Sequence, residues 1–151
     1  MSSKGSKLGD ALAMLPHEPP MLLIEEILEL IPGERARSRR RADAGDWYFQ
    51  GHFPGRPVVP AIALVELLAQ TGGLAAHGGS ETDRSFRVAA FGPFKFPAAA
   101  GVGAVLEADA WVERRMGSLV RVAGIVTADG TKVADGSVTL AEVDETKEDP
   151  T

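Results

Sequence analysis

The chain has 151 residues, 44% of them hydrophobic and 25% charged, the make-up of one folded globular domain with no room for a second. Cysteine is absent, which excludes disulfides, thiolate metal sites and a cysteine nucleophile; with three histidines and no i, i+4 pair among them, neither a metal nor another cofactor is expected. The net charge of −5 and the lack of aromatic stacking platforms argue against nucleic-acid binding. No apolar run approaches the roughly 18 residues of a membrane span, and residues 1–7 lack the apolar core of an export signal; a cytoplasmic protein without membrane contact is expected.

Taken in chain order, residues 1–7 (MSSKGSK) read as a disordered start, residues 8–143 as the domain and residues 144–151 as a solvated acidic tail. LGDALAM, residues 8–14, is a short helix candidate stopped by LPHEPP, whose prolines remove donors and turn the preceding residues away from helix. MLLIEEILEL, residues 21–30, is predicted as a strand because Pro32-Gly33 behind it signals a hairpin. ERARSRRR, residues 34–41, follows as a polar strand that sets Arg35, Arg37, Arg39 and Arg41 on one face. The one long helical segment runs from Val59 to His77, with Pro60 in its first turn and Gly78-Gly79 as its stop. Its apolar residues cover nearly the whole circumference, as in a buried helix. Four strand-like runs remain, residues 87–94, 105–115, 118–128 and 131–141, with Asp129-Gly130 as a tight hairpin between the last two. One buried helix with long antiparallel strands predicts an α+β fold in which a sheet wraps the helix.

Two residues stand out chemically. His52 lies in GHFPGRPVVP, a turn stiffened by Phe53, Pro54, Pro57 and Pro60; a histidine so fixed either serves chemistry or satisfies a neighbouring carbonyl. Glu66 interrupts the greasy run AIALVELLA, about 9 Å into the helix at 1.5 Å per residue. A carboxylate inside a core is paired, neutral or used, and burial that raises its pKa makes it a proton donor at neutral pH. Backbone N–H groups at the helix start, around Pro60, Ala61 and Ile62, have no intrahelical acceptors and suit a carbonyl oxygen gaining negative charge. Base, acid and oxyanion donors together suit proton abstraction beside a carbonyl with loss of a leaving group.

The segments LPHEPPMLLIEEILEL, YFQGHFPGRPVVPAIALVELLAQTGG and FGPFKF resemble the β-hydroxyacyl-acyl carrier protein dehydratases of the FabZ type over about residues 12–143. The resemblance implies the hotdog fold and a catalytic pair of His52 and Glu66, fourteen residues apart, contributed by opposite subunits of a homodimer with acyl tunnels at the interface; relatives also form trimers of dimers. His52 would abstract the α-proton of a (3R)-3-hydroxyacyl thioester on acyl carrier protein, and a protonated Glu66 would help the β-hydroxyl leave as water. Phe53, Pro60, Ala61, Ile62 and Gln70 would line the substrate, with Gln70 orienting the Glu66 carboxyl one helical turn away. Glutamate at position 66 resembles the branch that only dehydrates, where the isomerising branch has aspartate. His17 matches a further landmark and is read as a turn residue positioning the first strand. Two departures, Ala61 in place of the family's glycine and FPAAAGVGAVLE without its Pro-Gly-Asp element, point to a specialised acyl group or pathway. Arg35, Arg37, Arg39 and Lys95 are candidates for binding the acidic carrier; the other expectation for the arginine row is a solvated, charge-protected edge strand. A thioesterase on the same fold, or a non-catalytic carrier-binding subunit, are the alternative functions.

Overall fold

The computed structural model describes residues 15–77 and 84–144. The predicted helix over 8–14, the segment 1–7, the Gly78-Gly79 stop and all but the first residue of the 144–151 tail lie outside them. Among the described residues no helix is long and apolar enough to cross a membrane.

Six strands form one antiparallel sheet: β1 (Glu26–Ile31), β2 (Arg35–Arg41), β3 (Arg84–Lys95), β4 (Val105–Met116), β5 (Leu119–Ala128) and β6 (Thr131–Asp144). Their spatial order is β1-β2-β4-β5-β6-β3, so β1 and β3 are the edges. One helix, α1 (Ala61–Ala76), connects β2 to β3 through a 3-10 turn at Trp47–Phe49, and the sheet curls around it. Register shifts interrupt the ladders in β1, in β3 twice, in β4 and in β5; such bulges bend strands and increase twist, which a sheet enclosing a helix needs. The Asp129-Gly130 hairpin forms as expected, both residues at positive φ (49° and 87°), the conformation that a two-residue turn of this hand demands.

Helix and sheet meet through small residues on the sheet's inner face. Ala36, Ala108, Ala110 and Val126 lie beneath Leu64, Leu67 and Leu68, all buried. At Gly72 a side-chain carbon would fall 2.6 Å from Val122 Cγ2, so only glycine allows the helix to lie this close to β5. One polar tie crosses the apolar layer: Ser38 of β2 donates to Thr71 Oγ1 at 2.7 Å while Thr71 donates to the Leu67 carbonyl at 2.7 Å, with both side chains fully buried.

Two expectations need correction. The strand predicted over 21–30 begins only at Glu26, because backbone groups of Met21 and Leu23 are taken by side chains of α1 and β2 rather than by a neighbouring strand. The helix is not buried all round: Ala61 and Ile62 are exposed, Ile62 at 67%, and Val65 and Glu66 are half-buried. Its first two turns form the wall of an open groove.

Replacing Thr71 by valine leaves the buried Ser38 hydroxyl without its acceptor and is expected to cost about 1–3 kcal/mol in denaturant unfolding. Adding Ser38→Ala should recover part of that loss, and equal destabilisation of single and double variants would show that the hydroxyl pair does not matter.

Candidate active site

Glu66 projects from the second turn of α1 between two spaces. On one side an apolar groove of about 310 Å³ is lined by Ala61, Ile62, Val65, Phe91 and Phe94. On the other a small cavity of about 40 Å³ is lined by His17, Gln70, His77, Ser85 and Arg87, among others. The Glu66 side chain is therefore 28% exposed, at a groove wall rather than inside the core as its helical depth predicted.

Gln70 holds it there. This amide, 1% exposed, donates from Nε2 to Glu66 Oε1 (2.9 Å) and to the Met21 carbonyl (2.7 Å), while its own oxygen accepts the Leu23 N–H (2.9 Å). The chain ahead of β1 is thus tied to the helix and brings His17 with it. His17 Nε2 stands 3.3 Å from Glu66 Oε1. The contact gives His17, read from the sequence as a turn residue positioning the first strand, a partner on α1. It also reverses the pKa expected for Glu66: the hydrogen bond from His17, joined by the one from Gln70, outweighs burial and holds the carboxyl below its ordinary range. Burial alone raises a carboxyl; here two donors favour its charged form.

Leu23 is gripped from the other side by Arg40, which donates from Nη1 to its carbonyl at 2.9 Å and from Nη2 to Asp46 Oδ1 at 2.8 Å. Tyr48 donates to the same carboxylate at 2.6 Å. Burial, with that carboxylate beside it, pushes the Tyr48 hydroxyl up to about 12. Sequence reading missed Arg40 as a structural anchor. Its signal was its position, out of phase with Arg35, Arg37 and Arg39 and so pointing inward.

His52 stands in the turn before α1, its Nδ1 3.0 Å from the Val58 carbonyl and its ring stacked on Phe53 at 4.2 Å. Donation from Nδ1 to that carbonyl leaves Nε2 as the basic nitrogen. The turn is secured by Val58 N–H to the His52 carbonyl (2.9 Å) and by Val59 N–H to the Ala100 carbonyl (2.8 Å), so the segment after Lys95 supports the histidine directly. Pro60 is the N-cap and is buried. The first helical bond is Ala63 N–H to the Pro60 carbonyl, which places the Ala61 and Ile62 N–H groups ahead of it, at the groove. Phe53 is 57% exposed, beside a separate surface hollow with Phe49 and Pro57. Neither space beside Glu66 is lined by His52.

The arginine row is on one outer face as predicted, but it is not a free basic surface. Arg35 pairs with Asp109 (2.6 Å) and Glu29, Arg37 with Glu107 (3.3 Å), and Arg39 with Glu26 (3.0 Å) and Glu107. Nor is β2 an edge strand, since it lies between β1 and β4. Lys95 is exposed and lines a trough on the outer side of the sheet with Trp111, Arg121 and Lys132.

A single helix wrapped by a curled six-stranded antiparallel sheet is the hotdog fold. The family model of the FabA-like domain matches residues 15–140, and the chain belongs to that family. It is 32% identical over 142 residues to the 3-hydroxyacyl-[acyl-carrier-protein] dehydratase FabZ of Myxococcus xanthus, covering 91% of this chain and 92% of the relative. The FabZ of Roseiflexus sp. is 35% identical over 133 residues, covering 87% and 93%. Among solved structures, the dehydratase heterocomplex ApeI:P from Xenorhabdus doucetiae shares the fold with a TM-score of 0.75 at 16% identity, over 91% of this chain and 93% of that one. A hypothetical thioesterase from Streptococcus pneumoniae, solved with coenzyme A, shares it with a TM-score of 0.60 at 13% identity, over 79% and 85%.

Gln70→Leu is expected to cost about 1–3 kcal/mol for each buried partner left unpaired, measured by denaturant unfolding at neutral pH. Because the Glu66 pKa is depressed in the fold, its contacts contribute stability above the ordinary carboxylate range and lose it as pH falls through the lowered value. In Gln70→Leu the Glu66 side-chain carboxyl carbon, followed by NMR, should titrate at higher pH than in the wild type; an unchanged titration would rule out the amide as a cause of the shift.

Proposed function

We propose that the chain dehydrates (3R)-3-hydroxyacyl thioesters carried on acyl carrier protein to trans-2-enoyl thioesters, in fatty acid or related polyketide or polyene biosynthesis. The observation that carries this is a carboxyl opening onto an apolar groove whose end is the start of a helix. The acyl chain lies along Ile62, Val65, Phe91 and Phe94, and its thioester carbonyl accepts from the Ala61 and Ile62 N–H groups. Charge developing on that oxygen makes the α-proton acidic. His52 Nε2 removes it, Nδ1 being anchored on Val58, and the Glu66 carboxyl delivers a proton to the β-hydroxyl oxygen as the C–O bond breaks. The products are the enoyl thioester and water.

The site is shared by two copies of the chain in a homodimer, which themselves can assemble as a trimer of dimers. Three features support this. Within one chain His52 lines neither of the spaces beside Glu66; Ile62 and Phe91 leave apolar surface exposed at the groove; and β3 is an edge strand that carries Val88 and Phe91 outward. A second copy covering this surface would set its His52 against the first copy's Glu66. The carrier is met by cations that lack a carboxylate partner among the described residues, with Lys95 one of them, rather than by the neutralised row of Arg35, Arg37 and Arg39.

The test follows conversion of a 3-hydroxyacyl carrier substrate at the enoyl chromophore. His52→Ala and Glu66→Gln should each lower kcat at least about 100-fold. Mixing the two variants under subunit exchange should restore about a quarter of wild-type activity, since half of the dimers are mixed and each has one intact site; no restoration would place both residues in one chain's site. Release of free thiol in place of enoyl product would assign hydrolysis instead.

A further inference from the structure

The contacts that fix Glu66 create a difficulty for the reaction just described. Hydrogen bonds from His17 and Gln70 both fall on Oε1 and favour the carboxylate, whereas departure of a hydroxyl as water needs a proton. The same contacts suggest its origin. His17 Nε2 reaches Oε1 at 3.3 Å, and Oε2 has no hydrogen-bond partner among the described residues. Behind the pair, the cavity of about 40 Å³ has room for a water molecule, which needs about 10–15 Å³ on this measure. Two ring nitrogens that line the cavity's residues, Nδ1 of His17 and Nδ1 of His77, are buried without a hydrogen-bond partner. A buried polar atom in that state is normally matched by water or used.

We propose that His17 is a positioning residue acting through Glu66: it holds the proton that Glu66 delivers to the leaving group, and the cavity behind it is where that proton is replenished. This rests on the dehydratase function. In the forward step the α C–H pair becomes the new double bond and its proton stays on His52. The His17 Nε2 proton first crosses to Glu66 Oε1, and the C–O pair then goes to the departing oxygen, which takes that one proton from the carboxyl group. The step ends with water, neutral His17, carboxylate Glu66 and protonated His52. His52 then releases its proton to solvent, and His17 takes one from solvent through the cavity. The other groups facing the pair are Gln70 from α1, His77 just after it, and Arg87 and Ser85 from β3; Glu18, next in the chain, is exposed, as is Arg87.

His17→Gln separates a proton carrier from a mere hydrogen-bond donor, because glutamine keeps an N–H for Oε1 but has no proton to give. With the full chain and the carrier-bound substrate, this variant should lose at least tenfold in kcat at neutral pH with KM within twofold. Its optimum should move to lower pH, where Glu66 becomes protonated directly. Arg87→Ala should keep the wild-type shape of the pH profile. In parallel, the Glu66 side-chain carboxyl carbon followed by NMR should titrate at higher pH in His17→Gln, or in His17→Asn if the first variant folds poorly, than in the wild type, a readout that needs no turnover. Wild-type rate and optimum in His17→Gln, or identical Glu66 titration with and without the His17 imidazole, would overturn the relay while leaving the dehydratase intact. A wild-type chain that forms no enoyl product would overturn the function, and the relay with it.

Discussion

The fold and the site both hang on one buried amide. Gln70 commits both N–H donors and its oxygen to three backbone or side-chain partners, and so meets the backbone of the chain ahead of β1 where Leu23 and Ile24 enter the core. An extended segment with unpaired N–H and C=O groups cannot be buried unless something meets them; Gln70 meets two on one side and Arg40 a third on the other. The result is a non-strand stretch, Met21 to Glu25, held as firmly as a strand. Because the same amide also touches Glu66, the tie that closes the core is the tie that orients the site.

Much of this was legible in the sequence. The strand periodicities from Arg35 onward, the Asp129-Gly130 turn and the single long helix each follow from local rules, and those rules agree with one another. The catalytic candidates were legible for a different reason: a histidine in a proline-stiffened turn and a carboxyl in an apolar run break the local rules. What could not be read was partnership. Period-two geometry put Arg35, Arg37 and Arg39 on one face, yet nothing in their spacing says that Asp109 and Glu107, some seventy residues on, stand opposite. An apparent basic stripe became a balanced ladder. The strand predicted over 21–30 failed for the same reason, since its first half was claimed by side chains distant in sequence.

Glu66 shows how the sign of a pKa shift can reverse between sequence and structure. Its helical position suggests deep burial and a raised pKa; its actual neighbours, a histidine and an amide on the same oxygen, reverse the sign. Burial acts on every charge, whereas a hydrogen bond acts on one, and at the groove wall, where water still reaches part of the carboxyl, the specific term wins. His17 is the residue that sequence reading undervalued most. It is separated from Glu66 by 49 positions, and only the Gln70 tie brings them together.

Gly136 extends the argument to the groove. Phe94, a groove residue, pairs with it across β3 and β6, and a side-chain carbon at position 136 would fall 2.5 Å from the Phe94 ring. The aromatic wall beside Glu66 rests on bare peptide, so its placement is set from behind, by a position that never touches the groove. The bore of the groove is therefore gauged by β6: enlarging residue 136 must displace the ring and reshape the space proposed for the acyl chain without altering any residue that lines it.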